Sequence, residues 1–120
     1  IGDQATLYDI NSLPLLKKTP HPVRLIISNN FGGGIFSYLP VASDSPHFET
    51  LFANRHSWQF QKAAELFDLP YTKAESLEEF SYAIAKNGSE SEVIELITSR
   101  KENFEEHELI QTFFAKDALR

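Results

Sequence analysis

Apolar residues along this chain fall into runs with two different periods. The run Val23-Arg24-Leu25-Ile26-Ile27-Ser28 is short and β-branched, and reads as a buried strand over 23–28. Ile1 reads as the last residue of another strand. Between them Leu7, Ile10, Leu13 and Leu16 recur at every third position, the face of a crossover helix over 6–17. Pro14 sits inside that pattern without an N–H and against the Ile10 carbonyl, so a kink or an early end is predicted there. His21-Pro22 closes the connection. A strand, a helix and a second strand of this kind make a parallel unit.

Further along, residues 35–39 predict a short helical turn, and the proline-flanked polar segment 40–46 an exposed loop. Helices are predicted over 48–52 and from 57 or 58 to 67, where Ala63-Ala64 permits close approach to a neighbour. Leu69-Pro70-Tyr71 ends the second of these and opens a short extended piece. Ser76 with Glu79 three residues on is a capping-box pattern. It starts a helix carrying Leu77, Phe80, Ile84 and Ala85 that ends at Asn87-Gly88. Val93, Ile94 and Ile97 mark 92–98 as the last strand. Residues 103–115 form an amphipathic terminal helix with Phe104, Leu109, Ile110, Phe113 and Phe114. The fold class is α/β, a parallel sheet flanked by helices.

Two polar pieces stand just past the predicted strand ends: Gly2-Asp3, and Asn29-Asn30-Phe31-Gly32-Gly33-Gly34. A parallel unit sets such ends side by side at the carboxyl edge of the sheet, where ligands of open α/β folds bind. A carboxylate, a side-chain amide and a glycine-rich backbone are the oxygen donors preferred by a hard divalent ion such as Mg²⁺. Taken singly, Asp3 is equally a helix N-cap and the Asn-Gly segment an ordinary turn. Taken together they point to one metal site. The glycines serve close backbone approach and positive φ. No Lys-Ser/Thr follows them, as a nucleotide-binding loop would require.

Composition narrows the classes. At 120 residues the chain is one domain at most, and 42% hydrophobic residues with ten Phe suffice for a packed core. A net charge of −6 without a basic stripe argues against nucleic acid as a partner. No stretch has the apolar length of a membrane span, and no signal peptide is visible. The absence of cysteine removes disulfides and thiolate metal sites. His21, His47, His56 and His107 lack ligand spacing and read as surface or loop residues. Trp58 reads as a packing anchor, and Glu105, Glu106 and Glu108 as a solvated helix face. With its motif at residue 3 and the preceding strand nearly all missing, the chain reads as a fragment.

The Gly2-Asp3…Asn30 pattern resembles the Gly-Asp…Asn signature of thiamine diphosphate enzymes, which hold the cofactor's diphosphate through Mg²⁺. Their most common form has glycine in third place, where this chain has Gln4, which indicates a subgroup. Gly32-Gly33-Gly34-Ile35-Phe36-Ser37-Tyr38-Leu39-Pro40 resembles a Gly-Gly-x-Ile-Phe-Ser-x-Leu-Pro stretch in one such subgroup. That subgroup is the 2-succinyl-5-enolpyruvyl-6-hydroxy-3-cyclohexene-1-carboxylate synthase family of menaquinone (vitamin K2) synthesis. Leu7-Tyr8-Asp9-Ile10-Asn11, Phe48-Glu49, Leu51-Phe52, Phe60 and Ala63-Ala64-Glu65-Leu66-Phe67-Asp68-Leu69 with Tyr71 agree as well. The likeness is specific over 1–71, architectural to 98 and weak beyond.

The resemblance implies a partial thiamine diphosphate-binding fold, with 1–120 the C-terminal part of the diphosphate- and metal-binding domain of a larger multidomain enzyme. It implies Asp3, Asn30 and the Gly32 carbonyl as ligands of Mg²⁺ or Mn²⁺. Gly2, Gln4 and Ala5 join them around the diphosphate, with the Gln4 and Ala5 N–H groups facing the anion. Ile35, Phe36 and Leu39 would line the substrate pocket, where an apolar wall favours decarboxylation by desolvation. The implied reaction is a transferase's: 2-oxoglutarate is decarboxylated and its succinyl-semialdehyde unit added to isochorismate. The activating Glu belongs to an absent N-terminal domain, so the fragment carries no catalytic residue and is expected to be inactive alone. A cytoplasmic homo-oligomer, dimer or tetramer, follows from the same resemblance. Rival readings are another thiamine diphosphate enzyme, of acetolactate synthase or 2-oxoacid decarboxylase type, and a non-catalytic α/β binding module.

Overall fold

The computed structural model describes residues 1–86 and 88–117, which fall into two compact units. The first unit comprises Ile1–Gly32 and His56–Thr98. Its chain starts on a sheet edge: the Ile1 carbonyl accepts the Ser28 N–H at 2.9 Å, and Gly2 bridges Ser28 in parallel. Helix α1 (Asp3–Tyr8) follows directly. The predicted crossover helix then divides. Past Asp9 the chain tightens into a 3₁₀ helix, Ile10–Lys18, that runs through Pro14 rather than ending at it. Leu13 is the buried residue of that turn set, with Leu7, Ile10 and Leu16 packed around the same core.

Strand β1 (Arg24–Asn29) lies one residue later than the pattern predicts. Helix α3 (Gln61–Leu66), the third after the short α2 (Val41–Asp44) of the second unit, starts later than expected. Residues 57–60 stay out of it because their backbone is engaged elsewhere. Trp58 O accepts from Asn29, and Phe60 N–H donates to Glu95. Asp68, at φ 51°, turns the chain out of α3, and Leu69 N–H closes onto Ala64 O at 2.9 Å.

Strand β2 (Tyr71–Ala74) leads to α4 (Leu77–Ala85). Ser76 caps α4 as predicted, accepting the Glu79 N–H at 3.2 Å. Glu79 reaches back one residue further than a capping box requires, to the Glu75 N–H. The buried face of α4 differs from expectation. Ala83 is inside, whereas Leu77 is 78% exposed and Ile84 is also exposed. The predicted helix end at Asn87 lies outside the described residues. The Arg24 guanidinium donates to the carbonyls of Ile84 and Lys86, satisfying the last turn of α4, and meets Glu92 at 2.6 Å.

Strand β3 (Glu92–Ile97), last in sequence, is central in space: the sheet order is β1-β3-β2, all parallel. Ile27 pairs with Glu95, and Lys73 pairs with Glu95 from the other side. Covered on both faces, β3 reads as a continuous apolar run interrupted only by Glu95. Leu13, Ile27, Phe60, Ala64, Leu69 and Val93 form the core. Fully burying a side chain such as Ile27 or Phe60 stabilises the unit by about 1.5–3 kcal/mol.

The second unit comprises Gly33–Arg55 and Ser99–Arg120. A 3₁₀ turn, Gly34–Tyr38, occupies the place of the predicted helical turn. The predicted loop after it instead contains α2, which Pro40 starts with its preset helical φ of −54°. Phe48–Phe52 forms one wide π-type turn, its Phe48 carbonyl accepting the Ala53 N–H at 2.9 Å. Phe52 stacks on Phe48 and meets the edge of Phe36, with ring centroids 6.2 and 6.4 Å apart. Helix α5 (Arg100–Asp117) is longer than predicted and ties back through Arg100, whose Nη2 donates to both Glu49 carboxylate oxygens. Leu109, Ile110, Phe113 and Phe114 of α5 are exposed.

Candidate metal centre

The parallel pairing of residues 1–2 with β1 brings Gly2-Asp3 and residues 29–32 to the same edge of the first unit. Asp3 opens α1 and is only 3% exposed. Its Oδ1 accepts the Gln4 N–H at 2.8 Å, and its Oδ2 accepts the Gly32 N–H, also at 2.8 Å. The second bond is buried and spans 29 residues, joining the start of the chain to the glycine loop. Thr6 Oγ1 donates to Gly2 O at 2.9 Å and holds the first turn in place.

The two adjacent asparagines have separate roles. Asn29 is fully buried, and its side chain is occupied by the protein. Its amide donates to Trp58 O at 2.9 Å and to Glu95 Oε1 at 2.5 Å, while Oδ1 accepts the Phe31 N–H at 3.0 Å. That last bond bends the chain sharply, putting Phe31 at φ 61° and Gly32 at φ 154°. A side chain at position 32 would be strained in that conformation. Asn30 Oδ1, by contrast, is buried and accepts no hydrogen bond. An orphaned buried carbonyl oxygen costs about 1–3 kcal/mol unless something meets it.

One carboxylate, one free amide oxygen and a backbone carbonyl suit a hard cation that keeps further positions for water and phosphate oxygens. Among the described residues no cluster of three or more His, Cys, Asp and Glu side chains has metal-binding geometry. The chemistry of the donors, a buried carboxylate and an unpartnered amide oxygen, is of the type that Mg²⁺ takes. The Gln4 N–H, predicted to face an anion, is turned onto Asp3 instead. Ala5 lies in the first turn of a helix of only six residues, whose dipole is small.

His56 corrects the sequence reading. It lies in a loop, one of the two places expected, but not at the surface: its side chain is 2% exposed, with Nε2 3.0 Å from Asp3 Oδ2. The His56 N–H donates to Phe31 O at 3.2 Å, and its ring stacks on Trp58 at a centroid distance of 5.2 Å. Trp58 is thus the partner of that ring, while its own outer surface is exposed. No ligand spacing in the sequence marks His56, since it reaches Asp3 only through the fold.

Glu95 is the other missed residue. A carboxylate in the middle of Val93-Ile94-Glu95-Leu96-Ile97 was a visible signal, because a buried acid requires donors. It has three: Asn29 on Oε1, and the Phe60 N–H at 2.9 Å and Tyr71 hydroxyl at 2.5 Å on Oε2. Burial, and then the Glu95 carboxylate beside it, push the Tyr71 phenol well above its ordinary range.

In the second unit Ile35, Phe36 and Leu39 are 75%, 38% and 50% exposed. They are not core residues. Gly33 donates to Ala53 O, and a Cβ added there would meet the Phe52 carbonyl oxygen at 3.2 Å and the Phe36 ring at 3.1 Å. Close backbone approach thus explains this glycine, and positive φ explains Gly32.

No family model matches the chain. Curated relatives do. It is 42% identical over 116 residues to 2-succinyl-5-enolpyruvyl-6-hydroxy-3-cyclohexene-1-carboxylate synthase of Chlorobium luteolum, covering 95% of this chain and 20% of the relative. The synthase of the same name from Chlorobium phaeobacteroides is 43% identical over 109 residues, 89% of this chain and 19% of the relative. That of Listeria monocytogenes is 38% identical over 122 residues, 100% of this chain and 21% of the relative. In sequence the chain matches one segment of this synthase family. It spans about a fifth of the length of these synthases. The likeness to the synthases runs on through β3 and α5, further than the motifs alone showed. Among the described residues no helix is long and apolar enough to cross a membrane.

Proposed function

We propose that this chain is the metal- and diphosphate-holding part of a thiamine diphosphate-dependent synthase of menaquinone synthesis. In this reading Asp3, Asn30 and the Gly32 carbonyl bind Mg²⁺ or Mn²⁺, and the metal carries the cofactor's diphosphate. The carrying observation is the Asp3 carboxylate accepting the Gly32 N–H, with the unpartnered Asn30 oxygen in support. Thiamine diphosphate, when bound, supplies the chemistry that releases CO₂ from a 2-oxo acid and passes the remainder to an acceptor.

What the chain's own residues do is bind and orient. The Gly32 and Gln4 N–H groups fix the Asp3 carboxylate, and the Asn29–Glu95 bond fixes the loop that presents Asn30. Exposed Ile35, Phe36 and Leu39 offer apolar surface to substrate. The substrates are 2-oxoglutarate and isochorismate, and the complete enzyme is a cytoplasmic homo-oligomer whose other domains supply the activating carboxylate.

Calorimetry on the complete enzyme tests this. Asp3→Ala should abolish Mg²⁺-dependent binding of thiamine diphosphate, and an unchanged affinity would overturn the site. Supplying pyruvate in place of 2-oxoglutarate separates this synthase from an acetolactate synthase type, which would turn over pyruvate alone.

A further inference from the structure

We propose that His56 is a positioning residue for the metal-binding carboxylate: its Nε2–H braces Asp3 Oδ2 in the orientation that receives the cation. This rests on the functional reading above and extends it to a residue outside the ligand set. Three observations carry it. His56 Nδ1 accepts the Trp58 N–H at 3.2 Å, so that nitrogen bears no hydrogen. In the neutral ring the proton is then on Nε2, and Nε2 stands 3.0 Å from Asp3 Oδ2. Finally, Nε2 is buried and makes no hydrogen bond as it stands, so Asp3 Oδ2, near in distance but out of line with the N–H, is the acceptor it can reach by a small rotation.

The ring is held for this task. Trp58 stacks on one face with planes 13° apart, Phe31 presents its edge at 6.1 Å, and the His56 N–H is fixed to Phe31 O. A small turn of the carboxylate completes the bond. Asp3 would then accept three N–H groups and lose little further freedom when a cation binds. Groups that orient metal ligands in this way typically change metal affinity by about 10–100-fold when removed.

The experiment titrates Mg²⁺ into the complete enzyme in the presence of thiamine diphosphate, with calorimetric detection. His56→Leu keeps the bulk but cannot donate, and should weaken Mg²⁺ binding about tenfold while leaving the far-ultraviolet circular dichroism unchanged. His56→Gln, whose amide donates from a similar reach, should recover most of that loss. Unchanged affinity in His56→Leu overturns the proposal, and so does an equal loss in both variants, which would mean packing alone. Asp3→Ala is the separating control. If it too leaves Mg²⁺ affinity intact, the metal reading itself falls; if only Asp3→Ala weakens binding, the His56 role alone falls. Should the leucine variant fail to fold, nitrogen-15 NMR of the wild-type histidines decides. A ring protonated at Nε2 is expected, and one protonated at Nδ1 overturns the assignment.

Discussion

Asn29 Nδ2 stands 2.5 Å from Glu95 Oε1, and this bond commits the first of two neighbouring asparagines to the interior of the sheet. Asn29 belongs to the sheet, whereas Asn30 keeps an unused buried oxygen. The pair should therefore separate stability from binding. Asn29→Ala removes one of three donors from a buried carboxylate and should cost about 1–3 kcal/mol in urea unfolding. Asn30→Ala removes an unpartnered buried oxygen, so it should not lower stability without metal and should weaken Mg²⁺-dependent cofactor binding. Equal effects of the two substitutions on both measurements would contradict the division.

Tyr71 gives the chain an alkaline limit. Its phenol is raised by burial and by Glu95, so the native state keeps a proton that the unfolded chain releases near pH about 10. Stability is therefore full below that pH and falls as pH rises above it, because the unfolded state then binds fewer protons. Tyr71→Phe should lower stability at pH 8 by about 1.5–3 kcal/mol, the range for a hydrogen bond to a charged group. It should also flatten the alkaline decline. Urea midpoints measured on both proteins between pH 8 and 11 read the two slopes, and parallel slopes would refute the linkage.

Gly33→Ala tests close approach in the second unit. The new methyl would meet a backbone oxygen 3.2 Å away, which cannot swing aside as a side chain can. Overpacking of this kind costs about 1–3 kcal/mol, read as a lower thermal midpoint. An unchanged midpoint would show that the 33–53 backbone pair is loose.

Phe36→Ala removes a partly exposed ring that meets the edge of Phe52 and packs beside Gly33. If Phe36 faces substrate, KM for the 2-oxo acid should rise or kcat fall while thiamine diphosphate affinity holds. A matching loss of cofactor affinity would make the ring structural instead.

The sequence made the parallel sheet and the convergence of Asp3 with the glycine loop legible, because strand periodicity and strand-end chemistry are local signals. Choosing between Asn29 and Asn30 required the likeness to known enzymes; the structure adds that the Asn29 side chain is bonded within the protein while Asn30 Oδ1 is not. His56 was illegible: it packs on Phe31 and Asp3, which are remote from it in sequence, and its near neighbour Trp58 carries no ligand signal. The late start of α3 was hidden for a similar reason, since residues 57–60 give up helix for bonds to Glu95 and Asn29. Leu77 misled because a helical repeat gives a face but not what covers it. Pro14 did mark an early end of the α-helix, which stops at Tyr8, but not that a 3₁₀ helix would carry the chain past it.

The central place of β3 sets an order of assembly. Neither β1 nor β2 has the other as neighbour, so each presents an open hydrogen-bonding edge until Glu92–Ile97 inserts between them. During synthesis both earlier strands must wait for a segment far downstream, a non-local pairing of the kind that slows folding. A ribosome stalled before Glu92 would leave two sticky edges in search of any strand, and a partial product of that length is an aggregation seed.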